Sequence, residues 1–369
     1  MIKNIKELTS AYAIHPGEIL HDELASREIK QKEFADLTGI HNTQLNEIIK
    51  GKRAINADIA LLIGKALNMD AVIWLNLQSN YDLELARVNE KNYARLAALD
   101  QWEMIRNYIP LKYFKKEGLF NGNPIVDIPI VKNIYAVDNF DQLAGIYSHS
   151  NYSRFRKSEK LTIDKINLIG WVRLVNYKAS KLHVAKFNEN TKHELIAELK
   201  AVFKKNKKTV EKTIEILSKY GIKLIVQSNP EKCAVDGIAF WSKGNPAIGI
   251  SLRLKRIDNF AFTIMHELGH VFLHLTNNNE AEFIDIDNTH DSIEHKKDIE
   301  EKEANEFAKN GLIEKEKWEY FLQNNYSYSE SSIISFASKE KTHPAIVLGR
   351  YCHETKKYAF KTTIDKVLN

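Results

Sequence analysis

Apolar residues recur at helical spacing along most of the chain. Ile19, Leu20 and Leu24 share one face, Phe34, Ala35 and Leu37 a second, and Leu45, Ile48 and Ile49 a third. Thr38-Gly39 stops the second of these helices and Gly51 the third. Asn42 or Thr43 is placed to cap the third through a side-chain oxygen. A fourth helix over 58–67 and a short one over 71–78 complete a compact set within residues 15–80. A charged helix is expected over 82–109. The stretch GLFNGNPIVDIPIV then makes the clearest break, a connector with room for a short strand.

Beyond it, a Lys-rich amphipathic helix or pair of helices spans 193–220, followed by three short strand patterns at 223–227, 237–241 and 248–252. Asp258 is placed to cap a long helix over 259–274. Another helix covers about 298–310, with one or two in the tail. The pattern predicts a mainly α chain with an α+β portion. It divides into an all-α module at 1–85, a helical connector at 86–180 and a domain with a small sheet at 181–369.

Composition narrows the class. The chain has 369 residues, 44% of them hydrophobic, which supports real cores and excludes disorder as the main state. Two cysteines, Cys233 and Cys352, exclude a disulfide scaffold and favour a reducing cytoplasm. The opening residues lack the basic and apolar regions of a signal peptide, and no window approaches the roughly 18 apolar residues of a membrane span. The net charge of +5 is uneven. Residues 1–80 carry 9 basic and 10 acidic side chains, and 280–306 carry 3 and 11, so the basic excess lies mainly in the middle of the chain.

The strongest chemical signal is His266-Glu267-Leu268-Gly269-His270. On a helix, positions i and i+4 share a face, so two imidazoles can hold one Zn2+ ion while the intervening glutamate serves as base toward water. The apolar neighbours Met265, Leu268, Val271 and Leu273 argue against a solvated His-Glu-His face. Zinc needs a third protein ligand. Residue 276, where one peptidase class places a third histidine, is Thr276. His274, one turn beyond His270, either approaches the metal or hydrogen-bonds along its own helix.

Glutamates in 280–306 are the alternative: Glu280, Glu282, Glu294, Glu300, Glu301, Glu303 and Glu306. Only Glu301 is followed by a small residue three on, Ala304, and an asparagine four on, Asn305, which can hydrogen-bond a ligand histidine. Glu303 is the second choice. His343 and Arg350, in THPAIVLGR, are candidates to stabilise an oxyanion. A strand edge at 247–252 can take a substrate backbone by strand addition.

HELGHVFLH followed by EKEANEFA resembles the ImmA/IrrE metallopeptidases, as does the hairpin GIAFWSKGNPAIGISLRLKRIDNFAFT; the likeness covers roughly 180–350. The resemblance implies a zincin-type fold with His266, His270 and Glu301 as ligands and Glu267 as general base. After Phe307-Ala308 the chain departs from the family's usual L-L-x-P, with Lys309-Asn310-Gly311-Leu312-Ile313 in its place.

The N-terminal helices match a helix-turn-helix, two helices separated by Thr38-Gly39-Ile40. The outer face of the second carries Asn42, Thr43, Gln44, Asn46, Glu47 and Lys50. Asn and Gln can bond adenine edges, while Lys50, Lys52 and Arg53 can meet phosphates. A protein-binding bundle with a polar face is the competing reading. HPGEILHDEL, QKEFADLTGIHNTQLNEIIKGKRAI and ALNMDAVIWLNLQSNYDL closely resemble the HigA-type antitoxins of the Xre helix-turn-helix class over about 15–85. That resemblance implies operator DNA bound by a homodimer, and a cognate toxin.

Together these features predict a DNA-binding regulator or antitoxin of a toxin-antitoxin type operon. Its zinc-dependent peptidase domain is expected to cleave a partner protein or the chain itself. The alternative is a non-catalytic antitoxin whose metal domain binds toxin or senses a signal.

Overall fold

The computed structural model describes residues 13–148, 164–286, 295–324, 329–359 and 361–369. The opening residues read above as no signal peptide and the candidate Glu294 lie outside them. The chain divides into two compact units, Met1–Trp102 and Glu103–Asn369. The expected connector, 86–180, straddles this division, and its described residues from 103 onward fall in the second unit. No helix among the described residues is long and apolar enough to cross a membrane.

Among its described residues the first unit is all helical. It comprises α1 (Pro16–Ser26), α2 (Gln31–Thr38), α3 (Asn42–Ile49), α4 (Ala57–Leu67) and α5 (Ala71–Val88). The expected apolar stripes converge: Leu20, Leu24, Phe34, Leu45, Ile48, Ile63 and Trp74 form one core. Leu37 is an exception, since it is 68% exposed. Gly39 ends α2 with φ 72°, a left-handed turn that glycine adopts without a Cβ clash.

Neither Asn42 nor Thr43 caps α3. Residue His41 stands at its start with no side-chain cap bond, which leaves both polar side chains on the exposed face. The charged helix expected over 82–109 is interrupted at Asn89, whose extended backbone separates α5 from α6 (Glu90–Ile105).

The second unit opens with α7 (Leu111–Lys116), α8 (Pro124–Tyr135) and α9 (Asp141–Ser148). The stretch read as a connector with room for a short strand is helix over IVDIPIV. Asn123 caps it by accepting from Ile125 N at 3.2 Å and Pro124 takes the first helical position, so the local start signal overrides the strand-like composition.

Next come α10 (Lys165–Lys181), α11 (Lys192–Lys205) and α12 (Thr209–Lys219). The sheet follows, with β1 (Lys223–Val226), β2 (Val235–Ser242) and β3 (Asn245–Ile250), then α13 (Ile257–His270). β4 (Glu282–Ile286), α14 (His295–Leu312), α15 (Lys315–Asn324), α16 (Glu330–Lys339) and α17 (Pro344–Thr355) complete the order.

The sheet runs β1-β3-β2-β4, with β1 and β3 parallel and the other pairs antiparallel. Strand alternation gives it two faces. Ala239, Ile248 and Ile250 pack into the main core with Ile264, Leu268 and Val271 beneath them. Val175 of α10 meets Gly249 and Ile238 on the opposite face. The register corrects one expectation. β3 lies between β1 and β2, so its hydrogen-bonding groups are used and 247–252 offers no free edge.

Candidate functional site

α13 carries His266, Glu267 and His270 into the core: they are 2%, 0% and 1% exposed. The helix starts at Ile257. Asp258 therefore sits in its first turn rather than capping it, and its carboxylate pairs with Arg256. Helical spacing brings the Nε2 atoms of His266 and His270 within 3.1 Å of each other. Glu301 of α14 completes the cluster, with one oxygen 3.3 Å from His266 Nε2 and the other 3.6 Å from His270 Nε2.

The close passage of α13 and α14 makes this reach possible. A Cβ on Gly269 would stand 2.9 Å from Ala304 Cα, so both positions must be small. Four ligands about 2.0–2.1 Å from a tetrahedral ion stand roughly 3.3–3.4 Å apart. The observed spacings match that figure, and two imidazoles with one carboxylate are a donor set suited to a divalent transition metal.

The electrostatics are those of charges held in a largely buried cluster. Burial and the neighbouring His266 lower His270 to about 4, despite Glu301. Burial also opposes a charged His266. The bond to Glu301, with Asp285 and Asn305 nearby, outweighs it and raises the pKa. Asn305 thus favours the charged ring, although among the described residues no hydrogen bond reaches the buried Nδ1 of His266. Burial likewise works against ionised Glu301, but its two histidine partners hold it down to about 2.

Glu267 differs. Both its oxygens are buried without a hydrogen-bond partner among the described residues, and burial, with Asp285, Glu301 and Asp236 nearby, pushes its pKa well up. Its carboxylate lies against Gly237 of β2, where a Cβ would approach within 2.0 Å of Oε1.

Aromatic rings wall the cluster. Phe283 of β4 stacks on His270 at 4.5 Å and Phe262 on His266 at 6.1 Å. β4 also brings Asp285 to His266 and Glu267. Neither Asp285 nor Gly237 was singled out by sequence. The alternation in EFIDI was the available signal, hidden within a run dominated by acidic residues.

Three expected residues stand elsewhere. Glu303 bonds His274 Nε2 at 3.0 Å instead of joining the cluster. His343 is the N-cap of α17, its Nδ1 accepting from Ala345 N at 3.2 Å, so it serves a helix start. Arg350 donates to the carbonyls of Lys309 and Ile313 and to Glu354, and its guanidinium lies 4.6 Å from the Trp318 ring centre. It binds the end of α14, where the sequence departs from the peptidase pattern. The partners of His343 and Arg350 place neither beside Glu267, so the expected oxyanion roles are not supported.

In the first unit, the outer face of α3 is displayed as expected. Asn42, Thr43 and Lys50 are exposed, Gln44 and Asn46 half-buried, and Lys52 and Arg53 exposed just beyond. Arg53 Nε donates to Glu47 at 2.7 Å, which neutralises the one acid on this face.

Residues 218–340 match the IrrE N-terminal-like domain of the Peptidase_M78 family, and residues 20–74 match a helix-turn-helix family. Over 81 residues the chain is 37% identical to virulence-associated protein I of Dichelobacter nodosus, covering 22% of this chain and 75% of that protein. It is 27% identical over 86 residues to the uncharacterized helix-turn-helix-type transcriptional regulator YbaQ of Escherichia coli K12, covering 23% and 76%. A solved structure of the Pseudomonas aeruginosa antitoxin HigA with the higBA promoter is 36% identical, covering 22% of this chain and 88% of that one, with a TM-score of 0.21.

Proposed function

For a chain that belongs, through its N-terminal unit, to the Xre-type helix-turn-helix family and carries an IrrE-type peptidase domain, we propose a zinc-dependent regulator of its own operon. The first unit binds operator DNA as a homodimer, and the second cleaves a partner protein or the chain itself. We keep 1–85 as the DNA-binding module and 181–369 as the peptidase domain, with 86–180 leading into it. The setting is cytoplasmic, where the buried thiols of Cys233 and Cys352 remain reduced.

The observation that carries the peptidase reading is the convergence of His266, His270 and Glu301, with Glu267 buried beside them. Those three residues would hold the metal, and zinc there would supply a Lewis acid that makes water acidic near neutral pH. Glu267 takes the proton of the attacking water and passes it to the leaving amine. Among the described residues β4 is the outer strand of the sheet, beside the cluster, and its outer side can hold a substrate backbone in extended form.

On the first unit, Asn42, Thr43, Gln44 and Asn46 face base edges, while Lys50, Lys52 and Arg53 meet phosphates. The unit's net negative charge makes this local cluster, doubled in a dimer, the source of attraction. A footprint on DNA upstream of the chain's own gene tests this reading; a salt-sensitive footprint lost in Gln44→Ala with Asn46→Ala is expected. For the second unit, bound zinc is measured and the protein is then incubated with its operon neighbours. Cleavage unchanged by Glu267→Gln would refute the peptidase role.

The complete burial of Glu267 favours a second reading, in which the metal domain binds a toxin or senses a signal without catalysis. Under it, Glu267→Gln still neutralises the toxin, and deletion of 181–369 does not.

A further inference from the structure

We infer that His274 and Glu303 are positioning residues for the metal centre, forming a relay that fixes the tautomer of His270. This inference rests on the metal reading above. The observation is a continuous chain of contacts: Glu303 Oε2 to His274 Nε2 at 3.0 Å, His274 Nδ1 to His270 Nδ1 at 3.1 Å, and His270 Nε2 facing His266 and Glu301.

With His274 neutral, proton accounting along this chain leaves one consistent arrangement. A carboxylate only accepts, so His274 carries its proton on Nε2 and donates to Glu303. Its Nδ1 is then a lone pair, and His270 must donate to it from Nδ1. That leaves a lone pair on His270 Nε2, aimed at the cluster, as metal ligation requires. The opposite tautomer of His270 would set two lone pairs against each other at Nδ1 and turn a proton toward the metal.

The local backbone serves the same contact. α13 ends at His270 and the chain continues in a single π-helical turn, Val271–Leu275. Such turns shift side chains out of the α register and recur at functional sites. Phe283 packs against both rings, 4.5 Å from His270 and 5.2 Å from His274 between ring centres, which restricts their rotation. The His274 side chain is 8% exposed and Glu303 55%. The relay therefore runs from solvent to the metal-facing nitrogen.

The test compares zinc affinity, by chelator competition at fixed pH, for the full-length chain and two variants at 274. His274→Phe keeps a ring beside Phe283 but removes the acceptor. His274→Asn sacrifices packing but keeps an oxygen near the position of Nδ1. The relay predicts a loss of roughly 10–100-fold for Phe and a much smaller loss for Asn, with Glu303→Gln between them. A purely packing role reverses that order, and affinity unchanged by His274→Phe would overturn the relay outright.

Imidazole 15N shifts of the metal-free protein provide a readout independent of zinc. The expected result is Nδ1–H on His270 and Nε2–H on His274; a proton on His270 Nε2 overturns the assignment. A wild-type chain that binds no zinc but shows the expected tautomers refutes the metal reading and leaves the relay standing.

Discussion

The two units place their chemistry in opposite environments. In the first, Asn42, Thr43, Lys50, Lys52 and Arg53 are exposed, and the core beneath them is apolar. In the second, His266, Glu267 and His270 are as buried as the leucines around them. An exposed reading face can change without unsettling its core, because its polar groups are hydrated whether or not DNA is present. Buried ionisable groups are costly unless something compensates them. The second unit should therefore gain stability from metal and from removal of charge, and the first should gain from neither.

The largest expected effect is on Glu267. Glu267→Gln should slow cleavage about 10²–10⁴-fold, as loss of a general base does. In the metal-free protein the same change should leave the second unit as stable or more so, measured by thermal unfolding. A carboxyl whose pKa is raised on folding weakens the fold only above its ordinary pKa, where the unfolded chain ionises and the native one resists. The difference between Glu and Gln should thus vanish in acid and grow as pH rises. A glutamine variant that unfolds more easily at neutral pH would break the contrast between the units.

Metal removal comes next. At free zinc near a thousandfold the dissociation constant, binding stabilises by about 4 kcal/mol. Chelation should lower the unfolding temperature of the second unit, leaving that of the first and its DNA footprint unchanged.

Gly237→Ala follows, because the new methyl would press on Glu267 Oε1. Its expected cost is about 1–3 kcal/mol of stability in the second unit, with cleavage reduced as Glu267 is displaced. On the first unit, Gln44→Ala and Asn46→Ala should each weaken operator binding by about 1–3 kcal/mol and relax base preference. Neither should alter zinc content or unfolding of the second unit.

The same contrast decides what was legible in sequence. The two histidines and Glu267 could be read because they share one helix at a spacing fixed by its geometry. Glu301 was legible because the rule for close helix passage marked Ala304, and Gly269 indeed packs against it. The stripes of α1 to α3 were legible because local periodicity and a left-handed glycine define them.

What depended on distant partners was not legible. β4, and with it Asp285, lay in a stretch whose acidity masked its alternation. The interior place of β3 depends on β1 arriving in parallel beside it, which no local pattern states. His343 and Arg350 were plausible at a site until the structure showed one starting a helix and the other holding the end of α14. The helix of residues 124–135 was not legible because the Gly, Asn and Pro around it mark a break and mask the Asn-Pro start signal.

The most direct test of a metal centre separable from the DNA-binding face is the zinc content of the purified full-length chain, measured by mass spectrometry on wild type and on His270→Ala. The account predicts one zinc per chain in the wild type and none in the variant, with the operator footprint intact in both. A wild-type chain free of zinc after metal supplementation, or zinc fully retained in His270→Ala, would contradict it.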